Sequence, residues 1–360
     1  MKKSTLLTLG LSLLLGATIQ PIYAQFGNNN QDEVFKVAPH TKGQHVHELS
    51  NAFVPGQVLV KFKDASTVNV RRAGGSFVSV DKKTVDDVLK EFGTTKMEKL
   101  LPNEKSGRSL RCAKSFVGQT IQERDLSQLY LVQIDAKNVA QTEKMVKSLQ
   151  TLNEVEFAEP NYKMYTMESH IADNYSGNPY AGQQWGLNAY GVPTLWNKPI
   201  INKERPVIAI VDTGVDITHP DLKDNIWTNT MEAEGAEGYD NDNNGFVGDI
   251  HGYDFVSNSG KMRDNNMHGT HVAGIAAAAN NETGIIGANP QALIMPVTVM
   301  QSDGTGDVAT IIKGIDYAVA NGATIINLSL GTYANSIALR QCLEKAYQKA
   351  VIVAAAGNDG

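Results

Sequence analysis

Three apolar segments of the sequence each end in a polar side chain that lies close to a glycine. Val207–Val211 leads into Asp212-Thr213-Gly214, Thr324–Leu328 leads into Ser329-Leu330-Gly331, and Val351–Ala355 leads into Ala356-Gly357-Asn358. If the segments are parallel strands, their carboxyl ends lie along one edge of a sheet, where open α/β sheets bind ligands. Glycine beside each polar residue lets a ligand backbone approach closely. The pattern therefore predicts a binding or catalytic site at that edge.

A histidine is available to act with Asp212 as a general base. His268 begins the segment His268–Gly274, which opens an alanine-rich helical pattern. A carboxylate that accepts a hydrogen bond from one imidazole nitrogen orients the ring and stabilises the imidazolium that forms when the other nitrogen takes a proton. Asp212 and His268 therefore predict an acid–base pair that lacks only a nucleophile.

The elements that must position these residues alternate between strand and helix. The predicted strands are Val207–Val211, Leu293–Val299, Thr324–Leu328 and Val351–Ala355, and the predicted helices are His268–Ala279, Val308–Ala320 and Ile337–Lys349. Nearly continuous apolar strands separated by helices are typical of a buried parallel sheet. Residues 183–360 are therefore predicted to form an α/β domain with a doubly wound parallel sheet.

Four ordered motifs in this region resemble the subtilisin family of serine proteases. They are Val211–Val215, His268–Gly274, Ser329–Gly331 and Ala355–Asn358. The order aspartate then histidine agrees with that family. The resemblance implies that Asp212 orients His268, that His268 is the general base, and that the side-chain amide of Asn358 donates to the oxyanion.

The same resemblance implies a substrate cleft for polypeptides. A peptide substrate would lie as a strand between two edges of the enzyme and pair with their backbones. The implied substrate-binding residues are Gly304, Thr305 and Gly306 on one edge, Ser329, Leu330 and Gly331 on the other, and Ala356 and Gly357 in one wall of the specificity pocket.

The serine that this mechanism requires is missing from its expected context. In the family it lies in a Gly-Thr-Ser-x-Ala-x-Pro segment, and none of the four Gly-Thr pairs here, at Gly93, Gly269, Gly304 and Gly331, is followed by serine. We therefore expect a protease precursor truncated before its catalytic serine, so that these 360 residues alone do not cleave peptides. The alternative is a catalytically inert fragment or pseudo-protease that acts as a propeptide-type inhibitor or binding protein.

A smaller domain is predicted ahead of the α/β domain. Strand-like segments at Val58–Phe62, Leu129–Ile134 and Val155–Tyr162 interleave with helical patterns at Lys83–Phe92 and Val139–Leu149. This order predicts a small α+β, ferredoxin-like domain over residues 51–165. It resembles the inhibitory propeptide of the subtilisin family, which would make it a partner in cis. The polar residues 166–182 are predicted to be a linker that contains the processing site.

The first 24 residues have the features of a secretory signal peptide. Lys2 and Lys3 precede an apolar run from Leu6 to Leu15, and Ala24 ends the segment. Residues 25–50 are polar and predict a flexible leader. We therefore expect export to the periplasm, the cell surface or the medium, with no membrane association after the signal is removed.

Composition excludes several classes of protein. The 360 residues are 42% hydrophobic and carry a net charge of −6, which argues against nucleic-acid binding. Two cysteines are too few for a disulfide framework. Residues 51–165 carry 18 Lys and Arg against 14 Asp and Glu, a net charge of +4, whereas residues 183–360 carry 10 against 19, a net charge of −9. The two regions either attract each other electrostatically or have unrelated surfaces.

Two segments are candidate calcium sites, and no organic cofactor is expected. Asp240, Asp242 and Asn244 match the first half of an EF-hand loop, but the glutamate of the twelfth position is replaced by His251. Asp249 and the carbonyl of Phe246 could complete a calcium site, and the alternative is a polar surface turn. By resemblance only, a second site combines Asp221 and the Asn281 side chain with the carbonyls of Ala279, Thr283 and Ile285, and with Gln183 or Gln184.

Two other activities fit the motifs poorly. An aspartic protease would need a second Asp-Thr-Gly or Asp-Ser-Gly beside Asp212, and the sequence has neither. A zinc site on His268 and His271 would be expected in a His-Glu-x-x-His helix, which is also absent. His271 is therefore interpreted as a packed structural histidine.

Overall fold

A computed structural model of the protein describes residues 52–63, 70–73, 77–80, 82–104, 112–114, 120–122, 125–135, 138–166, 183–196 and 204–358. The predicted signal peptide 1–24, the leader 25–50 and the linker beyond Thr166 lie outside these ranges. No helix in the described ranges combines the length and apolar character needed to cross a bilayer.

The N-terminal region contains eight strands and two helices in its described residues. In chain order they are β1 Phe53–Phe62, β2 Arg71–Ala73, β3 Phe77–Ser79, α1 Lys83–Glu91, β4 Thr94–Lys99, β5 Cys112–Lys114, β6 Thr120–Gln122, β7 Leu129–Ile134, α2 Val139–Gln150 and β8 Val155–Thr166. All three predicted strands and both predicted helices are confirmed, with small shifts at their ends.

The second region contains the remaining elements. They are α3 Trp185–Ala189, α4 Pro193–Trp196, β9 Val207–Asp212, α5 Thr230–Glu234, β10 Tyr253–Asp254, α6 His268–Ala277, β11 Leu293–Thr298, β12 Thr305–Asp307, α7 Val308–Ala320, β13 Ile325–Leu328, β14 Leu330–Gly331, α8 Ile337–Ala346 and β15 Val351–Ala354, with a 3₁₀ turn at Lys223–Asn225. The four predicted strands and three predicted helices are again confirmed.

Four strands of the N-terminal region form an antiparallel sheet in the order β8-β1-β7-β4. With α1 and α2, this is the split β-α-β arrangement that the sequence predicts. Both faces of the sheet are buried, because Val58 and Val60 of β1 pack with α1 and α2 whereas Leu59 belongs to a hydrophobic cluster that includes Ile311 and Ile312 of α7. Burial of both faces explains why β1 is apolar at successive positions.

The second region is built on a parallel sheet of five strands in the order β10-β11-β9-β13-β15. Helix α6 contributes Ala273 and Ala277 to a hydrophobic cluster with Ile208 and Ile210, whereas α7 contributes Ile311 to a cluster with Val211. Side chains of β9 alternate between these two clusters, so both faces of the sheet are covered. The predicted α/β fold with a doubly wound parallel sheet is confirmed.

Strand β8 connects the two regions. Besides β1, it pairs antiparallel with β12 and with β14, so that the N-terminal sheet continues into the second region. Two side chains of β8 also reach the N-termini of α7 and α8. Asn161 accepts a hydrogen bond from Ala309 N at 3.1 Å, and Glu159 accepts one from Ile337 N at 2.8 Å. Both groups satisfy backbone donors that have no partner within their own helix.

Helix α6 ends two residues earlier than its sequence pattern predicts. Ala278 has an extended conformation (φ −55°, ψ 137°), and the amide of Ala279 donates to the carbonyl of Asp221 at 2.8 Å. A hydrogen bond outside the helix therefore replaces the next helical one. The apolar pattern could not reveal this because Ala278 and Ala279 are as favourable in a helix as the residues before them.

Close packing of α6 against β9 depends on one glycine. A Cβ atom on Gly269 would overlap the carbonyl oxygen of Gly214 and lie 3.2 Å from the Cβ of Asp212. Any larger residue at 269 would push the start of the helix away from the strand. In contrast, a Cβ on Gly274 in the same helix would meet only the terminal methyl of Ile285, at 3.3 Å.

We predict that Gly269→Ala lowers the free energy of unfolding by about 1–3 kcal/mol, the usual effect of overpacking a rigid contact. Gly274→Ala is the matched control and should be close to neutral, because the preference of alanine for helices offsets a small shift of Ile285. Urea unfolding of the two variants measures both values. Equal stability of the two variants would contradict this account of the contact.

Candidate active site

The carboxyl edge of the parallel sheet brings Asp212 and His268 together. Asp212 is the last residue of β9 and is completely buried, and His268 is the first residue of α6. The imidazole Nδ1 lies 2.7 Å from Asp212 Oδ1, and the amide of Thr213 donates to the same oxygen at 2.7 Å. The carboxylate can therefore fix the ring orientation and leave Nε2 to exchange a proton with a bound group.

Burial controls the electrostatics of this pair. It raises the pKa of the Asp212 carboxyl, while the hydrogen bond and positive charge of His268 act in the opposite direction. The second oxygen, Oδ2, is buried without a hydrogen-bond partner in the described part of the chain. Because a buried carboxylate is strongly destabilised unless it is compensated, the aspartate favours a protonated imidazole beside it.

His271 lies one turn further along α6 and has a different environment. Burial lowers the pKa of His271 below its usual value, and the neighbouring His268 lowers it further. This imidazole is therefore held neutral in the packed part of the helix, in agreement with its interpretation as a structural residue.

The predicted oxyanion segment follows β15 at the same edge. Strand β15 pairs in parallel with β13, and the amide of Ala355 extends that pairing by donating to the carbonyl of Leu328 at 3.0 Å. Gly357 then has a positive φ of 86°, and Asn358 beyond it is exposed, as is Ala356. Asn358 therefore follows β15 at the same edge of the sheet as Asp212.

Two short strands form the walls of a cleft that runs to this edge. Thr305 and Gly306 of β12 pair with Tyr165 and Met164, whereas Leu330 of β14 pairs with Thr166. Gly331, also in β14, pairs with Tyr165 from the other side. Both predicted substrate edges are therefore occupied by β8, in the antiparallel arrangement expected for a peptide strand.

The remaining predicted cleft residues lie outside this ladder. Gly304 is in the turn before β12, with a φ of 77°, and donates to the carbonyl of Gln301 at 2.9 Å. Ser329 lies between β13 and β14, and its hydroxyl accepts a hydrogen bond from Asn327 Nδ2 at 2.9 Å. Gly304 thus forms part of the turn that leads into β12, and Ser329 lies at the carboxyl edge of the sheet.

Side chains of β8 also fill the cleft. Met164 is 2% exposed and belongs to the same hydrophobic cluster as Met300 and Leu330. The ring of Tyr165 packs against that of Tyr333 with centroids 6.5 Å apart. Side-chain packing therefore holds β8 between β12 and β14 in addition to backbone pairing.

An acidic cluster lies in the loop before β10. Carboxylate oxygens of Glu232, Asp240 and Asp242 lie within 4.8 Å of one another. Asp249 nearby is completely buried, and its pKa is raised by burial and by the charges of Asp242 and Glu232. None of the four forms an ion pair with a lysine or arginine in the described ranges. Several carboxylates without a counter-charge are the donor set that suits Ca²⁺.

The structure assigns different positions to the predicted ligands of this loop. Asp240 and Asp242 point into the cluster, but the Asn244 amide donates to Asp242 and Asp249, each at 3.0 Å, and its oxygen accepts from Phe246 N at 2.8 Å. Asp249 also accepts from Tyr317 OH at 2.7 Å. Asp249 and Asn244 thus stabilise the loop through these hydrogen bonds. The ring of Phe246 packs in an aromatic cluster with Tyr317.

Sequence reasoning missed Glu232. It lies eight positions before Asp240 in the short helix α5, yet it is only 4% exposed and accepts hydrogen bonds from the amides of Asn241 and Gly248. The sequence pattern of a calcium loop places oxygen ligands at every second position within the loop. Residue 232 lies before the loop and is not part of that pattern. A glutamate that packs into a loop from a neighbouring helix leaves no local signal in the sequence.

The loop after α6 contacts Asp221. Asp221 is 5% exposed, and Oδ2 accepts a hydrogen bond from Ile285 N at 2.9 Å. The amide of Asn281 donates to the carbonyl of Pro220 at 3.0 Å, and the oxygen of Asn281 accepts from Thr283 N at 3.1 Å. Gln184, rather than Gln183, reaches this loop, because its side-chain amide both donates to and accepts from the backbone of Ile286.

The sequence is similar to a family model and to several known proteases. The family model described as the subtilase family matches residues 203–360. The chain is 32% identical over 355 residues to a thermophilic serine proteinase of Bacillus sp. (strain AK1), a match that covers 97% of this chain and 70% of that protein. It is also 38% identical over 186 residues to thermitase of Thermoactinomyces vulgaris, covering 51% of this chain and 58% of thermitase.

A solved structure supports the same conclusion at the level of fold. Fervidolysin from Fervidobacterium pennivorans, described as a keratinolytic enzyme related to subtilisin, is similar with a TM-score of 0.55 and 22% identity. The match covers 85% of this chain and 40% of fervidolysin, so the chain spans less than half of that protein. Because the thermophilic proteinase matches nearly the whole chain, and because the Asp212–His268 pair lies at the expected edge of the sheet, the chain belongs to the subtilase family of serine proteases.

Proposed function

We propose that this chain is the N-terminal part of the precursor of an exported subtilisin-like serine endopeptidase that hydrolyses polypeptides through an acyl-enzyme. One observation carries the proposal: the buried Asp212 holds His268 at 2.7 Å, beside strands that already bind a peptide segment. The subtilase family supplies the reaction type. Export is proposed from the N-terminal sequence pattern.

The positions of Asp212, His268 and Asn358 fit the roles that such residues have in acyl transfer. A serine hydroxyl attacks the substrate carbonyl carbon, and its proton passes to Nε2 of His268 while Asp212 stabilises the imidazolium. Asn358 donates from its side-chain amide to the negative oxygen of the tetrahedral intermediate. The imidazolium then gives its proton to the leaving amine as the C–N bond breaks, and water hydrolyses the acyl-enzyme in the second half of the reaction.

The proposed mechanism requires a serine nucleophile. We infer that it comes from polypeptide that follows Gly360. Reading the gene beyond the codon for Gly360 is the most direct observation, and a Gly-Thr-Ser-x-Ala-x-Pro segment is expected there. A stop codon at that point would favour the alternative of an inert, propeptide-type inhibitor.

The N-terminal region is proposed to act as an inhibitory propeptide. Strand β8 lies between β12 and β14, where a substrate strand would bind, and Met164 is buried there with Met300 and Leu330. Glu159 and Asn161 hold β8 in place by accepting hydrogen bonds from the first turns of α8 and α7. Anions and acceptors are favoured at helix N-termini, so these contacts stabilise docking.

The role proposed for His268 predicts its effect on chemical labelling. Fluorophosphonates react with a serine that a histidine base activates, so they should label the protease purified from the cells that produce it. His268→Ala should reduce peptide hydrolysis by on the order of 10⁶-fold, the value for the triad histidine of subtilisin, and should abolish labelling.

His271→Gln is the matched control for that experiment, because it alters a histidine of the same helix outside the proposed triad. Most of the labelling and hydrolysis should survive in this variant. Full labelling of the His268→Ala protein would contradict the proposed general base.

The position of β8 predicts where the precursor is processed. The segment from Val155 to Thr166 is held by strand pairing and should resist cleavage, whereas residues 166–182 are polar and rich in turn-forming residues. We therefore predict that the mature protein begins within residues 166–182. Edman degradation or mass spectrometry of the mature form measures this, and an N-terminus between Val155 and Tyr162 would contradict the prediction.

Calcium is proposed to bind the acidic cluster of Glu232, Asp240 and Asp242. Their oxygens are hard ligands and lie close enough to share one cation, and no lysine or arginine of the described ranges neutralises them. Bound calcium would supply the counter-charge that the loop lacks and would thereby stabilise the fold. A second calcium at Asp221 and the loop 279–285 is proposed from the family resemblance and from the closeness of that loop to Asp221.

We predict that calcium raises the free energy of unfolding by about 2.7 kcal/mol when its concentration is 100 times the dissociation constant. Glu232→Gln should remove a large part of this increase. Glu234→Gln is the control, because Glu234 is exposed in the same helix and should retain the increase. Urea unfolding in calcium and in a chelator measures the difference. An unchanged midpoint after chelation would contradict the site, and a full calcium effect in Glu232→Gln would exclude that ligand.

A further inference from the structure

We propose that Asp264 is a positioning residue that fixes the start of α6 so that His268 stays aligned with Asp212. The inference deepens the proposed function and rests on it, because it concerns how the same histidine is held. Asp264 acts through the backbone and side chains on either side of the pair.

The Asp264 carboxylate accepts five hydrogen bonds. Oδ1 accepts from Thr213 Oγ1 at 3.0 Å, from Asn266 N at 3.0 Å and from Met267 N at 2.9 Å. Oδ2 accepts from the backbone amide and the hydroxyl of Thr270, at 2.8 Å and 2.6 Å. Hydrogen bonds to a charged acceptor are the stronger class, so one side chain organises the whole turn before the helix.

The start of α6 needs this support because its N-cap residue cannot provide it. Met267 has a left-handed conformation (φ 79°), which is uncommon for a residue with a side chain, and it makes no side-chain cap. The amide of His268 is satisfied instead by Asn266 Oδ1 at 3.2 Å, and that of Thr270 by Asp264. Asp264 also accepts from the amide of Met267 and therefore stabilises the strained residue directly before His268.

The same carboxylate ties the helix to the strand that carries Asp212. Thr213 follows Asp212, and its hydroxyl donates to Asp264 while accepting from the amide of Gly269 at 3.0 Å. The amide of Thr213 donates to Asp212 itself. A closed set of hydrogen bonds therefore runs from Asp212 through Thr213 and Asp264 to the first turn of α6, and the His268–Asp212 contact completes it.

Removing Asp264 should therefore loosen the histidine without unfolding the domain. Asparagine has one acceptor oxygen, so it cannot serve both the Thr213 side and the Thr270 side. In Asp264→Asn, the first turn of α6 should move relative to β9, and a shift of a fraction of an ångström is enough to weaken a hydrogen bond of 2.7 Å.

Asp254 provides a matched control. It accepts from Val256 N at 2.8 Å, from Ser257 N at 3.0 Å and from the hydroxyl of Ser257, so its carboxylate also organises a loop. None of these contacts reaches Asp212 or α6. Asp254→Asn therefore removes a comparable loop contact at a distance from the histidine.

The test follows the proton between Nδ1 of His268 and Asp212 by NMR in the 360-residue chain labelled with ¹⁵N-histidine. A short hydrogen bond gives a strongly deshielded resonance, which the wild-type chain and Asp254→Asn should show. In Asp264→Asn the resonance should move upfield or broaden beyond detection, while circular dichroism stays unchanged. An unaltered resonance in folded Asp264→Asn would overturn the proposal.

Thr213→Val keeps the experiment decisive if Asp264→Asn fails to fold. It removes the hydroxyl that donates to Asp264 and accepts from the amide of Gly269. The same resonance should weaken in this variant, and an unchanged resonance would also overturn the proposal. In the complete protease, Asp264→Asn should lower kcat by about tenfold or more with little change in KM, because alignment of the base affects only the chemical step. The NMR readout needs no nucleophile, so it stands even if the protease assignment fails.

Discussion

A carboxylate completely shielded from water is the constraint on which this site depends. Asp212 is buried at the end of a central strand, and its second oxygen has no partner in the described residues. A charge in such a position is tolerated only if something positive or strongly polar is held against it. The neighbouring structure is arranged to hold His268 there, because Gly269 allows the helix and strand to approach closely and the amide of Thr213 donates to the first oxygen.

The attachment of the N-terminal region combines backbone pairing with specific polar contacts. Net charge predicts an attraction between a basic and an acidic region, yet the contacts between them have the opposite polarity. Lys345 of the acidic region lies 2.7 Å from Glu104, and Lys313 lies 3.6 Å from Glu98. These ion pairs therefore run against the net charges of the two regions. The pairing of β8 and its contacts with α7 and α8 determine the docked position.

The sequence was sufficient for the main helices and strands and for the two residues of the acid–base pair, but strands β4 and β10 of the two sheets were not predicted. Apolar strands that end in Asp212 and Asn358 predicted the edge, because all parallel strands place their carboxyl ends together. The pairing of β8 with β12 and β14 could not be read from periodicity, since strand partners depend on the packing of the two regions. The contacts of Gln184 and Glu232 could not be predicted from the sequence either, because each side chain contacts a loop that is distant along the chain.

Asp264 illustrates a related limit. It lies four positions before His268, and in the sequence it looks like an ordinary aspartate of a turn. Only the left-handed backbone at Met267 shows why the helix needs an acceptor from further back. Sequence rules for helix caps assume that the residue just before the helix satisfies the first amides, and that assumption fails at Met267, which is left-handed and makes no side-chain cap.

The continuous ladder from the N-terminal sheet through β8 to β12 has a consequence for release of the N-terminal region. As long as the chain is intact, the two parts are tethered, and their effective concentration keeps the cleft filled. Cleavage would convert the same contacts into a bimolecular complex, whose occupancy falls with dilution. Separation would then depend on how far the fragments are diluted, in addition to whether the connecting bond has been broken.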